Sequence, residues 1–216
     1  TNLHRIGASE LWNNQISQEL PSRTHVESVI ATVPQNEKYL VLNVEHWNIP
    51  GDVAKFRTLA QWVREALPVT CKLGYYAMLP KRDYWRAIQG PTNSGYIAWQ
   101  AENTAMMPVL DFIDVLFPSI YTFYADREGW KTYAKANLAE ALRMAGGREI
   151  IPYLYVKYHE SNVQLSGQYI PRDYFEMQLN LVKREWSDGA VLFGGWQEQW
   201  DEQRDFWGVV KQFRRW

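Results

Sequence analysis

The stretch that decides the fold is YLVLNVEHW, from Tyr39 to Trp47, where an apolar run ends on a carboxylate and an indole. A near-continuous apolar run is typical of a strand that is buried on both faces. Because side chains alternate along a strand, Asn43, Glu45 and Trp47 are predicted to lie on one face. In barrels of alternating strands and helices, active sites form at the carboxyl ends of such strands. Glu45 is therefore the first candidate for a catalytic residue.

The composition is that of a folded chain with a sizeable core. Of 216 residues, 46% are hydrophobic and 22% are charged, unlike a disordered or membrane-spanning chain. We expect one domain over residues 1–216. A net charge of -1 gives no basic footprint, so neither a nucleic-acid nor a membrane partner is predicted. The lone Cys71 can form neither an internal disulfide nor a multi-cysteine metal site.

Five short apolar runs are predicted to be strands, at residues 39–44, 71–77, 115–121, 150–156 and 190–193. Helices are predicted from the Asp52 cap through Leu67, at 130–145 and at 171–186. Residues 4–10 are a further candidate strand, with a helix at 24–33 after it. This alternation favours parallel strands with right-handed crossovers, arranged as a closed barrel or an open doubly wound sheet.

The barrel is favoured over the open sheet. No glycine-rich fingerprint follows the first clear strand and no P-loop occurs. The sequence thus lacks the motifs by which nucleotide-binding open sheets are usually identified. Several predicted strands also end in polar and aromatic clusters, as a barrel mouth requires. The predicted fold class is α/β, a distorted TIM-like (β/α) barrel. The chain is short for eight strands, so the barrel is either compact or lacks a first strand.

Aromatic residues are abundant, with 11 Trp, 13 Tyr and 8 Phe, together 15% of the chain. Most of them are expected to pack the core. Trp and Tyr also present flat apolar faces with a polar edge, which suits sugar rings. His46 and His159 lie beside glutamates but lack the spacing of a metal site, so neither a metal nor a cofactor is predicted.

Five segments, at residues 43–47, 73–77, 116–121, 151–158 and 189–196, read NVEHW, LGYYA, LFPSIY, IPYLYVKY and GAVLFGGW. In this order they resemble successive strand motifs of the hyaluronidase family of glycoside hydrolases. The resemblance implies a distorted barrel of seven strands rather than eight, which suits the short chain; the length by itself also allows a first strand that is missing or shortened. It also implies endo-acting hydrolysis of a polysaccharide such as hyaluronan or chondroitin. A secreted or periplasmic location is expected, although residues 1–9 lack the pattern of a signal peptide.

The resemblance also implies roles for particular residues. Glu45 corresponds to the catalytic acid/base, Tyr121 and Tyr158 to active-site tyrosines, and Trp196 to an aromatic near the substrate. The implied mechanism is substrate-assisted: the acetamido oxygen of an N-acetylhexosamine attacks its own anomeric carbon while the glutamate protonates the leaving oxygen. The predicted substrate contacts are Trp47, Tyr76, Phe193, Trp196 and Glu198.

Two positions depart from the family pattern. Asn43 stands where the family has an aspartate, and Phe193 stands where it usually has a tryptophan. An amide makes only neutral hydrogen bonds, whereas an aspartate can share a proton and a charge with the catalytic glutamate. Asn43 is assigned a role in orienting Glu45 or the substrate, and a structural amide is the alternative. The substrate and the retention of activity are left open.

The chemistry of a general acid adds an expectation about Glu45. Burial among apolar walls would raise its pKa and keep it protonated near neutral pH; the alternative is a strand-end carboxylate paired with Lys or Arg. Lys81, Arg82 and Lys157 lie near predicted strand ends and are candidates to meet uronate carboxylates. Ordinary solvated cations are the alternative.

Two other functions are consistent with the same residues. Glu198 could pair with Glu45 in a two-carboxylate glycosidase mechanism, with Glu160 and Asp126 as reserves. A carbohydrate-binding barrel that has lost catalysis would keep its aromatic platforms without a competent acid/base. Release of reducing ends distinguishes the enzymes from the binder. The oligomeric state is not predicted.

Overall fold

The computed structural model describes residues 2–185, 187–195 and 205–213. Strands and helices alternate along the chain. In order they are β1 (Leu3–Gly7), α1 (Ala8–Leu11), α2 (Arg23–Ile30), β2 (Tyr39–Asn43), α3 (Val53–Ala66), β3 (Lys72–Tyr75), α4 (Tyr84–Ala87), α5 (Ser94–Ala105), a 3-10 helix (Met107–Phe112), β4 (Val115–Leu116), α6 (Arg127–Ala145), β5 (Glu149–Ile150), β6 (Tyr153–Tyr155), α7 (Arg172–Arg184), β7 (Val191–Phe193) and α8 (Asp205–Gln212).

The strands form three parallel sheets. The sheets are β1-β2-β3, β4-β5 and β6-β7. Single parallel bridges from Tyr76 to Phe117 and from Ser119 to Tyr153 join them into one continuous array. β5 and β6 belong to the one run predicted at 150–156, and Pro152 interrupts it because proline has no N–H to donate to a ladder.

The α/β class is confirmed, and closure into a barrel is not observed. A strand does precede Tyr39, as predicted for residues 4–10: β1 pairs with β2 in register from Leu3 to Gly7. Of the two alternatives for the short chain, the lack of a first strand is therefore wrong. Leu3 of β1 and Val191 of β7 pack against the same inner cluster, which brings the two ends of the array near each other. Among the described residues no ladder joins these two strands, so closure and the count of seven remain predictions.

The core has an inner and an outer layer, as the predicted alternation requires. Val41 packs in an inner cluster with the rings of Phe117 and Tyr153. Leu40, Leu42 and Val44, which point to the opposite face from Val41, pack in a larger outer cluster between the strands and the helices. The face prediction is therefore confirmed within the strand.

The same prediction is wrong for Trp47. β2 ends at Asn43, so strict alternation no longer governs a residue four positions further on. The Trp47 ring is only 4% exposed and lies in the outer cluster, edge-on to Trp12 and Phe56. Its indole N–H donates to the carbonyl of Gln18 at 3.1 Å. Trp47 thus packs the core and does not share the face of Asn43.

Gly74 is required by the close packing of the inner layer. A Cβ at this position would lie 2.3 Å from the carbonyl oxygen of Val115 and 2.7 Å from the ring of Phe117. Any side chain would therefore push β3 and β4 apart. The glycine lets the Phe117 ring fill the inner layer below the carboxyl ends of the strands.

The predicted helices are present with shifted boundaries. α3 follows Asp52, but the Asp52 side chain does not cap it and instead accepts the Asn48 N–H at 2.8 Å. α6 begins earlier than predicted because Asp126 accepts the Gly129 N–H, and it ends at Gly146 with φ of 56°.

None of the helices in the described ranges is long and apolar enough to cross a membrane.

Candidate active site

A cavity of about 190 Å³ opens at the carboxyl end of the strand array. Its walls come from β1, β2, β6 and β7 and from the segments that follow β2, β3, β4 and β6. The lining residues are Arg5, Asn43, Glu45, Tyr76, Arg82, Tyr121, Tyr153, Tyr155, His159, Glu160 and Phe193. The site therefore collects side chains from distant parts of the chain, as the ends of parallel strands allow.

Five of the predicted site residues meet in this cavity: Asn43, Glu45, Tyr76, Tyr121 and Phe193. The rings of Tyr121 and Phe193 are nearly parallel, at 11°, with centroids 6.2 Å apart. Phe193 thus supplies an aromatic wall at the position where the family motif usually has a tryptophan.

Glu45 reaches the cavity but lacks the apolar enclosure that was expected. Its side chain is 47% exposed, and its Oε2 lies 3.6 Å from an Nη atom of Arg82. Glu45 thus shares the cavity with the Arg82 cation and with tyrosine rings, and about half of its side chain is open to solvent. This arrangement matches the predicted alternative of a strand-end carboxylate beside an arginine, within the cavity rather than away from it.

Two buried polar atoms among the lining residues have no hydrogen-bond partner. They are Oδ1 of Asn43 and the hydroxyl of Tyr153, whose residue is only 4% exposed. A buried polar atom without a partner costs about 1–3 kcal/mol, and native proteins leave few of them. Their shared place in one cavity indicates a site prepared to bind a polar ligand.

Tyr76 links the cavity wall to Arg82. Its hydroxyl donates to the Oγ of Ser119 at 3.2 Å and accepts from the Arg82 guanidinium at 3.2 Å. Burial opposes the charge of Arg82, but the nearby oxygens of Tyr76, Tyr133, Glu45 and Tyr121 outweigh this and raise its pKa. Arg82 is therefore a fixed cation in the wall.

Burial also raises the pKa values of the tyrosines that line the cavity. Desolvation raises the pKa of Tyr76, of Tyr121 and of Tyr153. All three hydroxyls stay protonated at neutral pH. The Tyr76 proton goes to Ser119 and the Tyr121 hydroxyl is hydrogen-bonded to Tyr76, so of the three only the Tyr153 hydroxyl, which has no partner, is free to donate to a ligand oxygen.

His159 was not predicted as a site residue, yet it lines the cavity. The backbone N–H of Ser161 donates to its Nδ1 at 3.1 Å, so the neutral ring carries its proton on Nε2. Burial, followed by the charge of Arg82, lowers the pKa of His159. The imidazole is thus neutral near pH 7 and can donate one hydrogen bond.

Tyr158 is not brought to this cavity. Residues of the run at 151–158 alternate between the layers: Tyr153 packs in the inner cluster, whereas Leu154, Val156 and Tyr158 pack in the outer one. The charges nearest the Tyr158 hydroxyl are those of Arg127 and Asp173, on the helical side. The prediction that Tyr158 is an active-site tyrosine at the same mouth as Tyr121 is therefore wrong for this cavity.

The inner-facing tyrosines of that run, Tyr153 and Tyr155, line the cavity instead. The alternation that correctly placed Asn43 would have identified them, since both have the inward parity of their strand. No comparable sequence pattern identified Arg5 or His159 as site residues. Arg5 lies on a strand 34 or more residues before the other site segments, and only the pairing of β1 with β2 brings it here.

The other candidates are distributed as follows. Of the three cations considered for uronate binding, Arg82 lines the cavity, Lys81 pairs with Glu102 at 2.9 Å, and Lys157 lies over the Tyr169 ring at 4.8 Å. Trp196 and Glu198 lie outside the described residues. The described residues contain no group of three or more His, Cys, Asp or Glu side chains that could hold a metal ion.

A larger groove of about 490 Å³ lies between α6 and α7. Its charges are largely satisfied at the surface: Lys131 pairs with Glu128, Lys135 with Glu185, and Asp173 with Arg127. We therefore place the candidate site in the smaller cavity, where buried polar groups converge.

Fold and cavity together define the class: an α/β protein with a polar, tyrosine-lined cavity at the carboxyl ends of its parallel strands. The structure is similar to that of bee venom hyaluronidase, with a TM-score of 0.67, 15% identity, and coverage of 99% of this chain and 83% of that one. Bee venom hyaluronidase in complex with a hyaluronic acid tetramer matches with a TM-score of 0.64 and 14% identity over the same shares. The resemblance to hyaluronidases that the motifs indicate is thus confirmed in the fold.

A third similar structure is that of a candidate alpha-L-fucosidase from Bacteroides thetaiotaomicron. It has a TM-score of 0.53 and 12% identity, covering 95% of this chain and 62% of that one. Neither a protein-family model nor a curated protein sequence matches the chain. At such identities the comparisons establish the fold, and function has to be argued from the site.

Proposed function

We propose that this protein is a glycoside hydrolase that cleaves a polysaccharide internally, at an N-acetylhexosamine, with Glu45 as general acid and then general base. The observation that carries the proposal is the convergence of Glu45 with the unpartnered Asn43 Oδ1 and Tyr153 hydroxyl in one cavity. Similarity in fold to hyaluronidase adds support. Hyaluronan and chondroitin are the substrates to test first.

Glu45 would give its proton to the leaving glycosidic oxygen and later take one from the attacking water. Its carboxylate is accessible to a ligand, at 47% exposure, and a bound sugar would displace the water around it. A positioned general acid or base contributes about 10²- to 10⁴-fold to rate. The neighbouring Arg82 is placed to stabilise the carboxylate once the proton has left.

Asn43 favours an acetamido sugar among the possible substrates. Its unpartnered Oδ1 can accept the N–H of an N-acetyl group, which would aim the acetamido oxygen at the anomeric carbon. This is the geometry of substrate-assisted hydrolysis. An amide cannot take up charge as an aspartate can, so Asn43 contributes orientation only.

Tyr121 and Tyr153 would complete the pocket for the reacting sugar. Burial raises the pKa of both hydroxyls, so both stay neutral. The Tyr153 hydroxyl, which has no partner, would donate to a substrate oxygen, and the Tyr121 ring, parallel to that of Phe193, would supply an aromatic wall. Donors that are fixed before the reaction stabilise developing charge without reorganising.

A two-carboxylate mechanism is the second candidate, and the structure suggests a different partner from the one first considered. Glu160 lines the same cavity as Glu45, whereas Glu198 lies outside the described residues. Glu160 would then serve as nucleophile or base in place of the acetamido group.

The test is release of reducing ends from hyaluronan, chondroitin and their de-N-acetylated forms, with the wild type, Glu45→Gln and Glu160→Gln. We expect Glu45→Gln to lose at least 100-fold in kcat, Glu160→Gln to keep its activity, and de-N-acetylated polymers to resist cleavage. Loss of activity in Glu160→Gln with cleavage of de-N-acetylated polymer would instead support the two-carboxylate route. A wild-type protein that binds these glycans but releases no ends would be a carbohydrate-binding protein, and the proposal would be wrong.

A further inference from the structure

A line of aromatic rings runs from the cavity to the protein surface. His159, in the cavity wall, contacts Phe123 with ring centroids 4.8 Å apart. Phe123 contacts Tyr84 at 5.9 Å, and Tyr84 contacts Trp85 at 5.2 Å. Tyr124 lies 5.2 Å from Tyr84 and 5.5 Å from Trp85. We call these four residues outside the cavity, Tyr84, Trp85, Phe123 and Tyr124, the aromatic track.

Trp85 is the exposed end of the aromatic track. It is 60% exposed, although the core buries other indoles such as Trp99 and Trp130 almost completely. Single exposed apolar residues are common and need no explanation. Trp85 differs because it continues a row of rings that begins at the wall of the candidate active site.

The Trp85 ring is also held in place by its surroundings. It packs edge-on to Tyr84 at 87° and tilted against Tyr124 at 51°. On either side of it, Asp83 and Arg86 are bonded to each other at 2.6 Å, and Arg86 makes two further bonds to Glu102, at 2.7 and 2.9 Å. A ring that is fixed before binding loses little conformational entropy when it stacks on a ligand.

Polar groups lie beside the aromatic track. An added Cβ on Gly129 would lie within 2.4 Å of both the Tyr84 hydroxyl and an Asp126 carboxylate oxygen, so these two oxygens meet over that glycine. A row of rings with oxygens at its edge suits a pyranose, whose axial hydrogens pack on an aromatic face while its hydroxyls take hydrogen bonds.

We propose that Trp85 and Tyr124 form a distal subsite that stacks on a pyranose of the polysaccharide chain whose reacting unit lies at Glu45. The inference rests on the proposed function for the identity of that chain. Trp85 is separated from His159 by three successive ring contacts. Only an oligosaccharide of several units can therefore occupy the distal subsite and the cavity at the same time. The distal subsite would hold a long chain in register and favour internal cleavage over attack at an end.

The experiment measures oligosaccharide affinity as a function of length. Hyaluronan and chondroitin series from disaccharide to decasaccharide are titrated by calorimetry into Glu45→Gln, which binds without cleaving, and into the same protein carrying Trp85→Ala, Trp85→Tyr or Trp62→Ala. Trp62 is the matched control because it is a partly exposed indole on α3, against Arg23 at 5.9 Å and outside the aromatic track.

We expect Trp85→Ala to weaken binding of the longest oligosaccharides about tenfold, with the loss shrinking as the oligosaccharide shortens. Trp85→Tyr should restore most of the affinity, and Trp62→Ala should change none of it. Equal affinities at every length, a loss of the same size at every length, or no binding of either series would each overturn the distal subsite.

Failure of the distal subsite and failure of the proposed function give different results. If Trp85→Ala binds normally while the wild type still releases reducing ends and Glu45→Gln does not, only the subsite is wrong. If the wild type releases none but the length-dependent loss is present, the subsite stands and the hydrolytic assignment falls.

Discussion

The two ends of the strand array use similar residues with opposite results. At the amino ends, the Tyr39 hydroxyl donates to Glu149 at 2.8 Å, and the Lys72 ammonium pairs with the same carboxylate. At the carboxyl ends, tyrosines, carboxylates and cationic side chains again converge, but Asn43 Oδ1 and the Tyr153 hydroxyl have no partner. We call the amino-end network closed, because its groups bond to one another and stabilise the fold. We call the carboxyl-end network open, because two of its polar atoms are left for a ligand to bind.

The electrostatics of the two ends differ in the same way. Burial opposes the charge of Glu149, but hydrogen bonds from Lys72 and Tyr39 outweigh it and lower its pKa. Glu45 lies 3.6 Å from Arg82, and its side chain is 47% exposed. One carboxylate is committed to structure, and the other is left accessible for chemistry. Substitutions that separate stability from activity test this comparison.

The largest effect is expected for Asn43→Ala at the carboxyl ends. Removing the acceptor for the acetamido N–H should lower kcat on N-acetylated polymer about 100-fold, the size seen when one positioned transition-state hydrogen bond is removed. The melting temperature should barely change, because the lost Oδ1 makes no hydrogen bond in the free protein. Steady-state kinetics and calorimetry check both values, and an unchanged kcat would remove Asn43 from the mechanism.

A matched pair of tyrosine variants compares the two ends directly. Tyr153→Phe deletes an unpartnered hydroxyl, so we expect about a tenfold loss of kcat/KM with equal or slightly higher stability. Tyr39→Phe deletes the hydrogen bond to Glu149, so we expect about 1 kcal/mol less stability and unchanged turnover. Denaturant unfolding and initial rates on both proteins measure this. The opposite pattern would show that the open and closed networks have been misassigned.

The smallest effect is the pH dependence of the amino-end network. Because the folded protein lowers the pKa of Glu149 from 4.5, its contribution is present above pH 4.5 and is lost as the pH falls through the lower folded value. Glu149→Gln should therefore cost about 1 kcal/mol at pH 7 and progressively less in acid. Unfolding free energies measured from pH 7 downward would contradict this if the difference between the proteins stayed constant.

Much of the candidate site could be predicted from residue order. The apolar runs placed the strands, and alternation within β2 put Asn43 at the inner carboxyl end, where the cavity lies. Glu45, two residues beyond the strand, lines the same cavity, as predicted. The same rule, applied to the run at 151–158, would have chosen Tyr153 and Tyr155 instead of Tyr158. Beyond the end of a strand the rule no longer binds: Glu45 still follows it, whereas Trp47 does not.

Other features could not be predicted, because they depend on contacts distant in sequence. Arg5 enters the site through the pairing of β1 with β2. His159 reaches the site because its own backbone N–H donates to the carbonyl of Thr122 at 2.9 Å, which ties the segment after β6 to the segment after β4. The exposure of Glu45 depends on how far the surrounding loops extend over it, which no local pattern encodes.

The sequence by itself determined the α/β class, the order of the strands and the inner face of β2, because hydrophobic periodicity and side-chain alternation are local properties of the chain. Only the tertiary structure decided which polar atoms remain without partners, that Arg82 lies beside Glu45, and that a row of rings leads from His159 to Trp85. These features depend on distances between segments far apart in sequence, and such distances are set when the whole core packs.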